Sequence, residues 1–380
     1  MGRRIICAAV VLCVLLGLVP PVQALEIPAP SAILMDAATG TVLWENASHE
    51  KRAPASVTKV MTLLLVMEAL DSGRISWEDT VTASETAAAK GGSQVYLEAG
   101  EQMSMDEMLK SVVVSSANDC ATALAEHVAG SEAAFVEQMN QRARELGMQD
   151  THFVNCTGLD DDADAAEHLT SAYDIALMSR QLLQHEAIRK YTTIWMDTVR
   201  NGQFGLSNTN KLVRFYQGTT GLKTGYTSGA GHCLSASAQR DGMELIAVVL
   251  GCGSSTERFE SAKMLLDYGF ANYALVDVTT QGAGAVPVEL GTEAQVMPIL
   301  SDDTPLLIDK GLQGAVQFRT ELAPSVAAPV AQGQELGCLV VLAQEQELAR
   351  IPLVAASAVP RQSLWQILAR IGRHLCMNGD

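Results

Sequence analysis

Three short groups of residues follow one another along this chain: Ser56-Val57-Thr58-Lys59, Ser116-Ala117-Asn118 and Lys223-Thr224-Gly225. Together they offer a hydroxyl nucleophile, an amine that can act as its base, a second hydroxyl to pass a proton, and a cation that can grip a carboxylate. Acyl transfer from a peptide ending in a free carboxylate needs that set. A Ser-x-x-Lys alone carries little information, and Ser48-His49-Glu50-Lys51 fits the pattern equally well. The surroundings separate the two copies. Ser48 sits in the polar stretch 46–52, whereas Ser56 follows Ala53-Pro54-Ala55 and opens the apolar run 57–70. In that run Val60, Leu63, Leu64, Met67 and Leu70 recur at helical spacing, and Pro54 with Ser56 at or near the cap marks a helix start. Positions three apart share a helix face, so the Lys59 amine is expected beside the Ser56 hydroxyl. The start of the helix also turns free N–H groups toward a developing oxyanion. The bland alternatives are an N-cap serine and a lysine lying along the surface.

Ser116-Ala117-Asn118 follows the apolar Val112-Val113-Val114 and precedes the helical stretch 120–129, which places it at a junction between elements. Ser116 there could pass a proton between Lys59 and a leaving amine. The Asn118 amide donates and accepts, so it could hold both the lysine amine and a substrate carbonyl. Taken alone, Ser and Asn at a helix start are caps. Lys223-Thr224-Gly225 reads as the edge of a strand. Lys223 and Thr224 suit a terminal carboxylate, and Gly225 allows a substrate backbone to come close. A solvated turn is the alternative.

These groups need elements to hold them. Segments 32–36 and 41–45 read as a hairpin around Ala37-Ala38-Thr39-Gly40. From 77 to about 216 the pattern is mostly helical, clearest over 105–114, 121–129, 132–146 and 172–183. A strand starts at or lines 223–226. Segments 233–238 and 243–250 form a second hairpin around Gln239-Arg240-Asp241-Gly242, and 256–270 is a closing helix. Strands at both ends of a helical middle predict one sheet assembled from the two termini, with helices on its faces. After about 275 short β-like runs alternate with turns, at 286–290, 295–300, 306–309, 315–321, 336–343 and 349–354. They predict a small antiparallel β domain. In 363–377, Leu364, Leu368, Ile371 and Leu375 share one helical face, flanked by Trp365 and Ile367, and Gln366, Arg370 and Arg373 share the other. That is the composition of a helix lying in a membrane surface, the alternative being a helix docked on its own domain or on a partner.

With 380 residues the chain has room for one large domain and a smaller one. A net charge of −17 argues against nucleic acid as a partner. Residues 1–24 read as an export signal, with Arg3 and Arg4, an apolar core over 5–19 and Val22-Gln23-Ala24 at a cleavage site. The core is short for a membrane span, and Pro20-Pro21 follow it. Beyond that segment Cys120, Cys156, Cys233, Cys252, Cys338 and Cys376 are irregularly spaced with no C-x-x-C, which argues against a zinc cluster. Buried free thiols are expected, with a Cys233–Cys252 bridge between adjacent strands as the alternative.

The set Ser-x-x-Lys, Ser-x-Asn and Lys-Thr-Gly resembles that of the penicillin-binding proteins and class A β-lactamases. Within that group the chain is similar to the low-molecular-mass penicillin-binding proteins, serine-type D-alanyl-D-alanine carboxypeptidases of peptidase family S11, from about Ser31 onward. Asn208-Thr209-Asn210-Lys211-Leu212, Gly221 to Thr227, Leu265 to Phe270, and the block 152–174 with Phe153-Val154-Asn155 and Gly158-Leu159 carry the likeness further. The resemblance implies a β-lactamase/transpeptidase-like α/β/α sandwich with a helical region over 25–275, a β-rich stalk over 276–355, and an amphipathic membrane-surface helix over 356–380. It implies Ser56, Lys59 and Ser116 as catalytic residues, and Asn118, Lys223, Thr224, Gly225 and Tyr226 as substrate-binding. The Tyr226 N–H would pair with that of Ser56 as an oxyanion donor. The substrate would be a peptidoglycan stem peptide, with β-lactams as inhibitors, and no metal or organic cofactor is implied. Ala117 stands where the family more often has glycine or aspartate. His168 and His232 are expected to be structural rather than members of a Ser-His-Asp triad. A class A β-lactamase would need a deacylating carboxylate, and Glu167-His168-Leu169-Thr170 lacks the Asn that accompanies it. A non-catalytic penicillin-binding sensor is the rival from a different class.

Overall fold

Chain segments from both ends of the first 275 residues meet in one antiparallel sheet. The computed structural model describes residues 25–161, 164–280 and 282–369. The sheet holds β1 (Ser31–Asp36), β2 (Val42–Asn46), β3 (Thr219–Thr227), β4 (Gly231–Arg240) and β5 (Met243–Cys252), in the order β2-β1-β5-β4-β3. β1 and β5 are buried on both faces, which is why they read as continuous apolar runs. Their side chains alternate between two cores. Ile33, Met35, Ile246, Val248 and Leu250 face the helical region. Leu34, Leu245, Ala247 and Val249 face the closing helix.

Five longer helices make up the helical region: α1 (Lys59–Asp71), α2 (Met105–Ser115), α3 (Asn118–Ala129), α4 (Glu132–Glu145) and α5 (Ala172–Leu183). α1 is apolar all round because it is buried on nearly every side. The closing helix α6 (Ser255–Asn272) is started by Ser254, whose hydroxyl accepts from the Glu257 N–H at 3.1 Å. The expected α/β/α layering with a helical region is present. Some details differ. The stretch expected to be helical also carries two small strand pairs, Thr80–Thr82 with Gln102–Ser104 and Met196–Val199 with Phe204–Ser207. Cys120, Cys156, Cys233, Cys252 and Cys338 are free, so there is no Cys233–Cys252 bridge.

Past α6 the chain turns to β structure, as expected. Tyr273–Val276 pairs with Leu306–Asp309. A four-stranded sheet runs Pro298–Leu300, Gln346–Ala355, Glu335–Ala343, Val316–Leu322, and Val286–Glu289 pairs with Gln295–Val296 and Val326–Ala327. Residues 364–369 begin a helix. Ser363 caps it: its hydroxyl accepts from the Gln366 N–H at 3.3 Å, and Gln366 Oε1 accepts from the Ser363 N–H at 2.8 Å. Leu364, Trp365 and Leu368 are exposed there. The expected export signal and residues 370–377 of the expected tail helix lie outside the described residues. Among the described residues no helix is long and apolar enough to cross a membrane.

Candidate active site

Ser56, the expected nucleophile, lies on a tight 3₁₀ turn, Ala55–Thr58, and the α-helix proper starts at Lys59. In a 3₁₀ turn residues i and i+3 eclipse, which brings Lys59 over Ser56. Lys59 Nζ donates to Ser56 Oγ at 3.0 Å and to the Thr157 carbonyl at 2.7 Å. Several groups hold the turn in shape. Ala55 takes a left-handed φ of 48°. Thr58 Oγ1 donates to the Ala55 carbonyl at 2.8 Å and accepts from His168 Nε2 at 2.7 Å, while His168 Nδ1 accepts from the Val154 N–H at 3.1 Å. His168 thus links the turn to the Val154 backbone. Two glycines then clasp the turn. A Cβ on Gly158 would lie 1.9 Å from the Ala55 carbonyl oxygen, and one on Gly225 would lie 2.6 Å from that of Pro54. Gly225 therefore makes room for the chain's own Ala55–Thr58 turn.

Lys59 is wholly buried, and this burial pushes its amine down to about 7, against the opposing influence of Cys156 and Asp119. The Lys223 amine is also buried and donates to the Thr224 carbonyl at 2.8 Å. Burial holds it well below the usual lysine range, helped by the neighbouring Lys59 and Arg258.

Ser116 ends α2 in a left-handed conformation (φ 66°, ψ 28°), which is strained for a residue with a side chain. Its hydroxyl makes no hydrogen bond among the described residues. Asn118 starts α3 and is buried. Its Nδ2 donates to the Gly91 carbonyl at 2.8 Å and its N–H to that of Ser93 at 2.7 Å, while its Oδ1 has no partner among the described residues. Lys59 thus bonds to Ser56 and Thr157, not to Asn118, and Asn118 keeps one acceptor free. Thr224 Oγ1 donates to Thr209 Oγ1 at 2.7 Å. Tyr226 is exposed and stacks on His232 with ring centres 4.4 Å apart.

Two residues close to this site carry no motif. Arg258 Nη1 donates to the Gly225 carbonyl at 2.9 Å from inside the first turns of α6, and Thr157 supplies the carbonyl for Lys59. The competing Ser48 donates to Glu45 Oε2 at 2.6 Å, and Lys51 is exposed. Glu167, the carboxylate weighed for deacylation, is exposed on a short 3₁₀ turn.

The described family of D-alanyl-D-alanine carboxypeptidases matches residues 19–254, and the penicillin-binding protein 5 C-terminal domain matches 273–361. The chain is 40% identical over 348 residues to D-alanyl-D-alanine carboxypeptidase DacF of Bacillus subtilis (strain 168), covering 90% of this chain and 88% of that protein. Among solved structures, penicillin binding protein 5 from Haemophilus influenzae superposes with a TM-score of 0.76 at 31% identity, over 88% of this chain and 98% of the other. Penicillin-binding protein D2 from Listeria monocytogenes, solved in its ampicillin-bound form, gives a TM-score of 0.59 at 31% identity, over 64% of this chain and 98% of the other. The sheet, the Ala55–Thr58 turn and all three residue groups fall inside the family match, and the chain belongs to the serine-type D-alanyl-D-alanine carboxypeptidases of peptidase family S11.

Proposed function

We propose that this carboxypeptidase removes the terminal D-alanine of peptidoglycan stem pentapeptides through an ester on Ser56. The contact between a wholly buried, readily neutral Lys59 amine and the Ser56 hydroxyl carries the reading. The stem peptide lies along β3, one of the two edge strands of the sheet. Its terminal carboxylate meets Lys223 and Thr224, and Asn118 Oδ1 takes a substrate N–H. Neutral Lys59 removes the Ser56 proton as Oγ attacks the carbonyl carbon between the two D-alanines. The N–H groups of Ser56 and Tyr226 hold the resulting oxyanion, each such donor being worth about 2.7–4 kcal/mol in the transition state. The C–N bond then breaks, and the Lys59 proton passes through Ser116 to the departing amine. Water, deprotonated by Lys59, hydrolyses the ester and restores Ser56. A β-lactam carbonyl would be attacked in the same way and leave a slow ester.

We place the catalytic unit at 25–275, a β-rich stalk from 276 and a membrane-surface helix from 364; the expected helix start at 356 is corrected, because Val359 and Arg361 bridge Val330 and Gly291 of the β domain. The composition of residues 1–24 supports export, and the exposed Leu364, Trp365 and Leu368 support a membrane surface as the tail's partner. A fluorescent penicillin and an assay of D-alanine released from a pentapeptide test the assignment. Wild type and Ser48→Ala should show label and release, and Ser56→Ala neither. Label kept by Ser56→Ala would overturn it. Faster hydrolysis of a β-lactam than of the peptide would indicate a β-lactamase, and labelling without D-alanine release a sensor.

A further inference from the structure

One ion pair outside the three motifs joins the two walls of the site. Lys90 Nζ and Glu132 Oε2 are 2.7 Å apart, with both side chains under one fifth exposed. Glu132 Oε1 accepts from the Cys156 N–H and from the Cys156 thiol, each at 3.2 Å. The Cys156 carbonyl accepts from Thr62 Oγ1 at 2.6 Å, and the next carbonyl, that of Thr157, receives Lys59 at 2.7 Å. The segment Cys156-Thr157 is thus held at the Cys156 N–H by Glu132 and at its two carbonyls by Thr62 and Lys59 of α1. From the lysine end the chain runs on into Gly91 and Ser93, whose carbonyls hold the Asn118 side chain and N–H. A Cβ on Gly92 would come within 2.8 Å of Asn118 Nδ2, so this segment lies directly against the amide.

Glu132 sits in the first turn of α4, where the N–H groups of the helix start favour its charge. A partly buried pair of this kind adds little net stability, but losing one partner leaves the other uncompensated. Its geometric consequence is larger, since reacting groups displaced by about 1 Å can lose on the order of a hundredfold in rate.

We propose that Glu132, paired with Lys90, is a positioning residue for acyl transfer: it sets the segment Cys156-Thr157 that holds Lys59 against the Gly91–Ser93 segment that holds Asn118. It touches neither Ser56 nor the substrate. The proposal rests on the reading of Ser56 and Lys59 as nucleophile and base.

The test is the rate of acylation by saturating penicillin, and kcat on the pentapeptide, per site counted by exhaustive labelling of the whole chain. Glu132→Ala should lower both by on the order of 10–100-fold while KM changes little. Glu132→Gln, whose amide oxygen can still accept from the Cys156 N–H, should recover most of the rate. Lys90→Met should also slow acylation, and the double variant Lys90→Met, Glu132→Ala should be no slower than the worse single one, because the two act as a unit. A lower melting temperature with a wild-type rate per labelled site would assign Glu132 a purely structural role and overturn the proposal. So would a Gln variant as slow as the Ala variant, or additive losses in the double variant. Ser56→Ala is run in parallel. If it still labels, the nucleophile assignment fails; if it does not while Glu132→Ala reacts normally, only the positioning role fails.

Discussion

An amine held out of water beside a hydroxyl gives up its proton far more readily than one in solvent, and Lys59 is in that position. Burial lowers it from the usual lysine range to about 7. Only the neutral amine can take the Ser56 proton, so kcat/KM for acylation should rise about tenfold per pH unit on the acid side and level off above about pH 7. Replacing Lys59 by Arg removes any accessible neutral form, and the rate should drop by roughly 10²–10⁴-fold without a titration near 7. A pH profile of penicillin acylation checks both, and an acid limb near the ordinary lysine value would contradict the assignment. The pairing of Ser56 with Lys59 was readable from their spacing and the apolar run behind them. Thr157 and Arg258 could not be found that way, because a carbonyl 98 residues from Lys59 and a lone arginine in a helix acquire a role only once the chain has folded.

The same limit applies to the element that carries the nucleophile. A helix start was readable at Pro54, but a 3₁₀ turn with a left-handed Ala55 was not, because its shape comes from packing against Gly158 and Gly225. The strand pairs inside the helical region were missed for another reason: three or four residues show no period to read. The glycines provide the test. Gly158 has φ +80°, and a Cβ there would sit 1.9 Å from a backbone oxygen of the turn. Gly158→Ala adds backbone strain to a forced shift and should cost roughly 2–6 kcal/mol, with acylation slowed well beyond the loss of folded protein. Gly130 has φ +83° at the end of α3, but nothing lies within 4 Å of its Cβ position. Gly130→Ala carries the strain term alone, about 1–3 kcal/mol, and should acylate normally. Thermal melts and labelling rates of the two variants separate strain from contact, and equal acylation defects would show that Gly158 does not shape the turn.

At the scale of the whole molecule, the net charge of −17 sets a constraint on where the protein can sit. An anionic membrane repels the body of such a chain, most strongly at low salt. In the membrane-surface reading proposed above, attachment rests on apolar contact, and the exposed Leu364, Trp365 and Leu368 are placed to supply it. Burying an exposed side chain of this size is worth about 1.5–3 kcal/mol when complete. Even half of that from each of three residues amounts to roughly 2–4 kcal/mol, which is about a 30- to 1,000-fold change in partitioning. Replacing all three by Ser should reduce co-sedimentation with phosphatidylglycerol vesicles by a factor in that range. Penicillin acylation in solution should be unchanged, since the tail is remote in sequence from every residue of the site. Raising the salt should not release the wild-type chain, because screening weakens the repulsion of the body and leaves the apolar contact intact. A triple variant that still sediments with vesicles, or wild-type binding that vanishes as salt is added, would mean that charge rather than the apolar face holds the protein to the membrane.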